Sequence, residues 1–395
     1  MAASLLVSHG ADVNVQISNG FTALHLSIKR NHENLTKLLL ANKVDVNIQD
    51  NGKETPLFVS VRGNNEKLVR LFLEYNADVN MQGKGGYTPL HLSAREGNET
   101  LCRLLLEHNA DGNIPEDLGD APLHWCARKG SENLCRLLLE HNADVNIQGK
   151  DGYTPLLSCG RESNENVCRL LVEHNADVNV QDKYGYTPLH WCVKEGKENL
   201  CRLLLEHNAD VNMKDYSGYT PLHWCAREGN RNLCRLLLEH NADVNMKDYS
   251  GDTPLQLLVR DPHIFNAEII DLLVTYGAQN IGIRDAEGRT PLQMAVKCGN
   301  AQAVKKLIDH GADVSVVEAD ATDARRLKRL KNKAEKLTES HPKSQKSLRQ
   351  TTPSSTYTTE EIEEEEEAEQ RKTLAVRHHK KKATTSSRTN RCVMA

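Results

Sequence analysis

The sequence predicts an all-α solenoid of stacked helix–turn–helix units, and three observations predict it. The stretch Gly218-Tyr219-Thr220-Pro221-Leu222-His223-Trp224-Cys225 stands 33 residues after its near copy Gly185-Tyr186-Thr187-Pro188-Leu189-His190-Trp191-Cys192. Further steps of 33 reach Thr154, Ala121, Thr88, Thr55 and Thr22 backwards and Thr253 forwards, and one step of 37 reaches Thr290. Each start leads to an apolar run such as Leu236-Leu237-Leu238 and an exit such as Asn241-Ala242-Asp243-Val244-Asn245. The cysteines keep the same period: Cys102, Cys135, Cys168, Cys201 and Cys234 form one series, Cys126, Cys159, Cys192 and Cys225 another. A fixed period between about 20 and 50 residues is the signature of stacked repeats.

A Thr-Pro-Leu-His entry to a first helix, a second helix ending in Leu-Leu-Leu and an Ala-Asp-Val-Asn exit resemble the ankyrin repeat, over residues 1 to about 318. The resemblance implies helix-turn-helix units with projecting β-turns, and partners held by those turns and the inner helices. It also implies that the repeated histidine (His25, His91, His124, His190, His223) ties neighbouring turns, a structural rather than catalytic role.

In chain order, residues 1–18 read as the second half of a unit whose first helix is missing, so we expect the natural chain to extend further. Nine units follow, starting near 20, 53, 86, 119, 152, 185, 218, 251 and 288. Thr-Pro starts each first helix: the hydroxyl accepts at the N-cap and Pro suits the first helical position. Asn76, Asn109, Asn142, Asn175, Asn208 and Asn241 stand at the second-helix end, where a left-handed cap is needed and Asn is the best residue after Gly. Lys43 at that place predicts a weaker exit. In the unit from Thr154, Leu157 replaces the histidine, Gly160 lies inside the first helix at a cost of about 1 kcal/mol relative to Ala, and Ser163 takes the usual glycine place. Ala121 lacks the capping hydroxyl, and the turn before it, from Ile114 to Leu118, is atypical. Units spanning 187–248 keep the pattern best and are expected to be the most stable. Extra residues around Asp261-Pro262-His263-Ile264-Phe265 and at Gln279-Asn280-Ile281-Gly282 map to loops. A basic amphipathic helix is expected at 319–340, with Leu327, Leu330, Ala334 and Leu337 on one face. A disordered, charged tail is expected at 341–395.

Composition narrows the chemistry. The 395 residues carry a net charge of −4 and only 4% aromatics, which a repeat array tolerates because each unit buries leucines against its neighbour. No run of 18 apolar residues exists to cross a membrane. The first residues lack the basic start of a secretory signal, so the eleven cysteines are read as reduced thiols acting as small buried hydrophobes. His124 beside Cys126 invites a zinc reading, but no C-x2-C spacing supports it. There is no phosphate loop and no nucleophile motif. We therefore expect no enzyme, no metal and no cofactor. The sequons at Asn34 and Asn98 are expected to go unused in a cytosolic chain.

Two places remain for function. Seven of the ten tyrosines fall in the expected turns: Tyr87, Tyr153, Tyr184, Tyr186, Tyr216, Tyr219 and Tyr249. Tyrosine gives a large contact area at little entropic cost, and with Arg95, Arg128 and Arg227 of the first helices these form the expected partner-binding face. Trp125, Trp191 and Trp224, also periodic, are expected to serve packing between units. The second place is Cys392-Val393-Met394-Ala395, which fits a prenylation box whose terminal Ala favours farnesyl. Lys380, Lys381, Lys382, Arg388 and Arg391, with Arg377, supply the polybasic signal that one lipid chain needs for stable membrane attachment. The eight carboxylates within Glu360–Glu369 read as a solvated linker.

The sequence thus points to a non-enzymatic protein-binding scaffold, cytoplasmic and held at an anionic membrane by prenyl and bases, with no small-molecule substrate and nucleic acid not expected. Its rival is a soluble nuclear or cytoplasmic regulator using the basic stretch 325–333 for import or nucleic-acid contact. An adaptor for a ubiquitin ligase ranks below both, since no ligase-docking box follows the repeats.

Overall fold

The computed structural model describes residues 5, 9–42, 44–262, 266–277 and 281–339. Every described element is helical. First helices are Ala23–Lys29 (α1), Pro56–Arg62 (α3), Pro89–Glu96 (α5), Pro122–Lys129 (α7), Pro155–Arg161 (α9), Pro188–Lys194 (α11), Pro221–Glu228 (α13), Pro254–Arg260 (α15) and Pro291–Cys298 (α17). Second helices are Glu33–Leu40 (α2), Glu66–Glu74 (α4), Glu99–Glu107 (α6), Glu132–Glu140 (α8), Glu165–Glu173 (α10), Glu198–Glu206 (α12), Arg231–Glu239 (α14), Ala267–Thr275 (α16) and Ala301–Asp309 (α18). Short helix α19 (Ser315–Glu318) and the 19-residue α20 (Ala321–Glu339) follow. Two units are distinguished, 1–316 and 317–395.

Helices of seven to nine residues are too short to persist alone in water, so packing must hold them. Leu200, Leu203 and Leu204 of α12 fall on one face at the i, i+3, i+4 spacing and are almost fully buried, each contributing roughly 2 kcal/mol. First helices lie closer to one another than second helices do, so the stack curves with the first helices inside.

Polar ladders fix the register between units. The backbone N–H of Thr88 donates to His91 Nδ1 at 3.1 Å, so the other ring nitrogen carries the proton and donates to the Asp120 carbonyl, 29 residues on, at 3.1 Å. His25, His124, His190 and His223 reach the carbonyls of Glu54, Tyr153, Tyr219 and Asp252 in the same way. Gln256 and Gln293 substitute at the last two units. At the exits, Asn80 accepts from the Asp111 backbone at 2.8 Å and Asn179 from Asp210 at 2.7 Å. Turn tips join too: Tyr216 N–H donates to the Tyr184 carbonyl at 3.0 Å and Tyr249 N–H to Ser217 at 3.2 Å. This approach demands glycine in the preceding turn, because a Cβ on Gly218 (φ +88°) would stand 2.5 Å from the Tyr249 nitrogen.

The six asparagines named at second-helix ends all adopt φ between 54° and 65°, as a left-handed cap requires. Leu157 makes no inter-unit bond of the histidine kind, and Ser163 takes φ 61° in place of glycine. Gly160 faces open space: a Cβ there would meet nothing within 4 Å.

One expectation is corrected. Cys159 and Cys168 are joined by a disulfide, with Cα atoms 5.8 Å apart, where the sequence reading kept every cysteine as a thiol. The two series were read separately, and the helix crossing that brings them face to face has no signature in either series alone. The remaining described cysteines are free and buried, except the exposed Cys298.

In the C-terminal unit, Leu327, Leu330 and Ala334 of α20 are buried, while Arg325, Arg326, Lys328 and Arg329 are exposed. Lys43, the core of the insertion at 263–265, Gln279 and Asn280 lie outside the described residues. So do residues 1–4 and 6–8 of the half unit and everything from 340 onward, with the acidic run, Lys380, Lys381, Lys382, Arg388, Arg391 and Cys392.

Candidate functional site

One face collects aromatic and basic side chains at fixed places in successive units. Its base is a row of tryptophans on α7, α11 and α13. Trp191 and Trp224 are buried, at 1% and 3% exposure, which makes them packing elements. Their indole N–H groups donate to Asp182 at 3.1 Å and Asp215 at 3.0 Å. Those carboxylates also cap the turn, Asp215 accepting from the backbone of Ser217 and Tyr219. Burial pushes the Asp215 carboxyl up to about 6, against the bonds from Trp224 and the turn that favour its charged form. Trp125 is half-buried and its buried indole nitrogen has no hydrogen-bond partner. Glu116 stands where Asp182 and Asp215 stand, nine residues before the ring.

Over the tryptophans lie tyrosines from the residue before each helix entry. Tyr186 sits 5.3 Å from Trp191 and 5.6 Å from Trp224, edge to face, and Tyr219 5.7 Å from Trp224. Tyr87 lies 6.2 Å from Trp125 and Tyr153 6.5 Å from Trp191. These four rings are half-buried. Tyr184, at a turn tip, is half-buried beside Tyr186 at 6.1 Å. Tyr216 and Tyr249, the other tip residues, are 57% and 60% exposed. The seven tyrosines therefore divide into four at the base of the turns and three at the tips.

Cations from the last turn of each first helix cover the rings. Arg95 lies 5.6 Å from the Tyr87 ring, Arg128 4.6 Å from Trp125 and Arg227 5.0 Å from Trp224. Lys194 is within 5.6 Å of Trp191, Trp224 and Tyr186. Such contacts are each worth about 0.5–1 kcal/mol at exposed sites. The same helical place is basic in all nine units, from Lys29 and Arg62 to Arg260 and Lys297. Eight residues earlier stands either an aromatic ring or an acid in the first eight units, and Arg289 in the ninth; Arg62, Arg128 and Arg260 pair with Glu54, Asp120 and Asp252. Three of these basic positions, Arg95, Arg128 and Arg227, are legible in the sequence as partner contacts; the offset of eight was missed. That offset recurs in unit after unit and was visible as a second period-locked series.

The histidines below this face are silent at neutral pH. Burial lowers His91, His190 and His223 to about 4 despite the carbonyls that accept from them. No cluster of three or more metal-ligating side chains comes together among the described residues.

A repeat solenoid whose inner helices and turns carry aromatic and charged residues on a hydrogen-bonded frame is a protein-binding array by its architecture. The model of ankyrin repeats (3 copies) matches residues 1–83, 34–116, 77–149, 109–182, 143–215, 178–248 and 247–318, and the chain belongs to the ankyrin-repeat family. No curated protein matches it. Arrays of this family are protein-interaction scaffolds, and protein partners follow for this chain.

Proposed function

We propose that the chain is a scaffold that grips its partner through the inner face of units 3 to 7, with the turn tips as rim. The observation that carries this reading is the row of tyrosine and tryptophan rings beneath half-exposed cations, from Tyr87 under Arg95 to Trp224 under Arg227, with Asp120 at the tyrosine place of the fourth unit. Aromatic rings and arginines held in place before binding lose little entropy on contact, and they dominate interface energetics. Exposed Tyr216 and Tyr249 extend the contact along the tips. Replacing Arg95, Arg128 and Arg227 together by Ala is expected to weaken partner binding at least tenfold, while helix content by circular dichroism stays unchanged. Undiminished binding would move the site elsewhere.

The same proposal places the scaffold on the cytoplasmic face of a membrane, through a prenyl group on Cys392 and the bases Lys380, Lys381, Lys382, Arg388 and Arg391. Support comes from the tetrapeptide Cys392-Val393-Met394-Ala395 and from the need of a single lipid chain for a second, electrostatic signal. Intact mass of the C-terminal peptide from the full-length protein made in a eukaryotic cell tests it. A prenyl mass on Cys392 with Val393-Met394-Ala395 removed, and membrane-fraction recovery lost in Cys392→Ser, is the expected result. An unmodified peptide and a soluble wild type would leave the soluble regulator using 325–333.

A further inference from the structure

In four consecutive units, cysteines face each other across the helix pair, nine residues apart: Cys126 and Cys135, Cys159 and Cys168, Cys192 and Cys201, Cys225 and Cys234. The second of these pairs is bonded, with its Cα atoms 5.8 Å apart, inside the range that a disulfide spans. In the other three, Cys135, Cys201 and Cys234 are the electrostatic neighbours of the first-helix thiols Cys126, Cys192 and Cys225. All four crossings join helices of the same register and nearly the same length, so the backbone presents each pair as it presents the bonded one. Elsewhere the same crossing holds Ser27 against Thr36 at 2.8 Å and Ser93 against Cys102 at 3.1 Å. Side chains at these two places meet whatever they are, and only the four central units fill both with sulfur.

We infer that these pairs are sites of reversible two-electron oxidation, each closing to a disulfide within its own unit at the expense of a hydroperoxide. With hydrogen peroxide, one thiolate sulfur attacks the O–O bond, becoming a sulfenic acid as the first water leaves. The partner sulfur then displaces the sulfenic oxygen, which departs as the second water with the partner's proton. The pair loses two electrons and two protons, and the peroxide is reduced to two waters.

Access orders the reaction. The six free thiols of the three remaining pairs show 0% exposure, and for Cys192 and Cys225 burial, then the neighbouring thiol, holds the proton on well above the usual thiol range. A thiolate forms only when a unit opens, and repeat arrays open locally rather than all at once. The unit from Thr154 is the loosest of the four, lacking the histidine tie and carrying Gly160 and the left-handed Ser163. Its pair, Cys159 with Cys168, is the first to close. Cys126, Cys192 and Cys225 each directly follow a tryptophan of the aromatic row. Closure there ties the helix that presents the ring to the second helix behind it, so the partner face stiffens under oxidation.

Full-length protein, reduced with dithiothreitol, desalted and treated with hydrogen peroxide, is alkylated, digested with trypsin and mapped by mass. Arg128, Arg161, Lys194 and Arg227 each lie between the members of one pair, so every disulfide joins two tryptic peptides. We expect four linkages within units, Cys159–Cys168 earliest, all reversed by dithiothreitol, and a melting temperature that rises by several degrees on oxidation. Replacing Cys126, Cys159, Cys192 and Cys225 by Ser, the residue that Ser27 and Ser93 place there without loss of fold, abolishes both the linkages and the shift. Linkages between units or between molecules, reaction confined to Cys298, or thiols that stay alkylatable would each overturn the inference.

Discussion

At the scale of single residues, two positions show what repetition leaves imperfect. Trp125 keeps a buried indole N–H without a partner because Glu116 replaces the aspartate that serves Trp191 and Trp224. The longer side chain puts its carboxylate on the Asp120 backbone instead, at 3.4 Å. Glu116→Asp is therefore expected to supply the indole and the turn together and to stabilise by about 1 kcal/mol, seen as a higher urea midpoint. Gly160 offers a second case. It is helical, its φ is not left-handed, and a Cβ would meet nothing within 4 Å, so Gly160→Ala should gain about 1 kcal/mol from reduced freedom of the unfolded chain. A fall in the midpoint for Gly160→Ala would mean that the unit needs its glycine for movement. The glycine, the asparagine caps and the missing histidine at Leu157 were legible in the sequence because each is a departure from a local pattern. The orphaned indole was not, since it depends on the reach of one side chain toward a residue nine positions away.

At the scale of the helix pair, the histidine tie makes folding sensitive to acid. His91, His190 and His223 titrate at about 4 in the folded chain against about 6.5 when unfolded. Between these values the unfolded chain binds more protons, so their contribution is complete above about pH 6.5 and is lost as pH falls toward 4. Burial also lowers His25 and His124. Asp215 and Asp252 work in the opposite sense: raised to about 6 by burial, they favour the folded chain as pH falls through 6. The histidines outnumber them, and the urea midpoint is expected to drop between pH 7 and pH 5. A midpoint that holds or rises over that interval would show the ties to be weaker than their geometry. Helix ends, caps and leucine stripes were readable from spacing alone. The pairing of the two cysteine series was not, because the crossing of two helices is a tertiary fact.

At the scale of the whole molecule, the period of 33 carries the fold and the family, and the inner face follows from the fold. The aromatic half of that face was visible as tyrosines in turns, but its organisation was not. Tyr87, Tyr153 and Tyr186 lie under cations and against tryptophans, Tyr219 lies against Trp224, and two of the three at the tips stand 57% and 60% exposed. Function as a scaffold requires that partners be held by this face. The direct measurement is site-specific photo-cross-linking in the full-length protein. Probes at Arg95, Arg128 and Arg227 on the first helices are compared with probes at Arg103, Arg136 and Arg202 on the second helices, which are exposed on the outer side. Cross-links to the same partner from the first-helix set, and none from the second-helix set, are predicted. Equal yields from both sets, or yields from the outer helices alone, would contradict it.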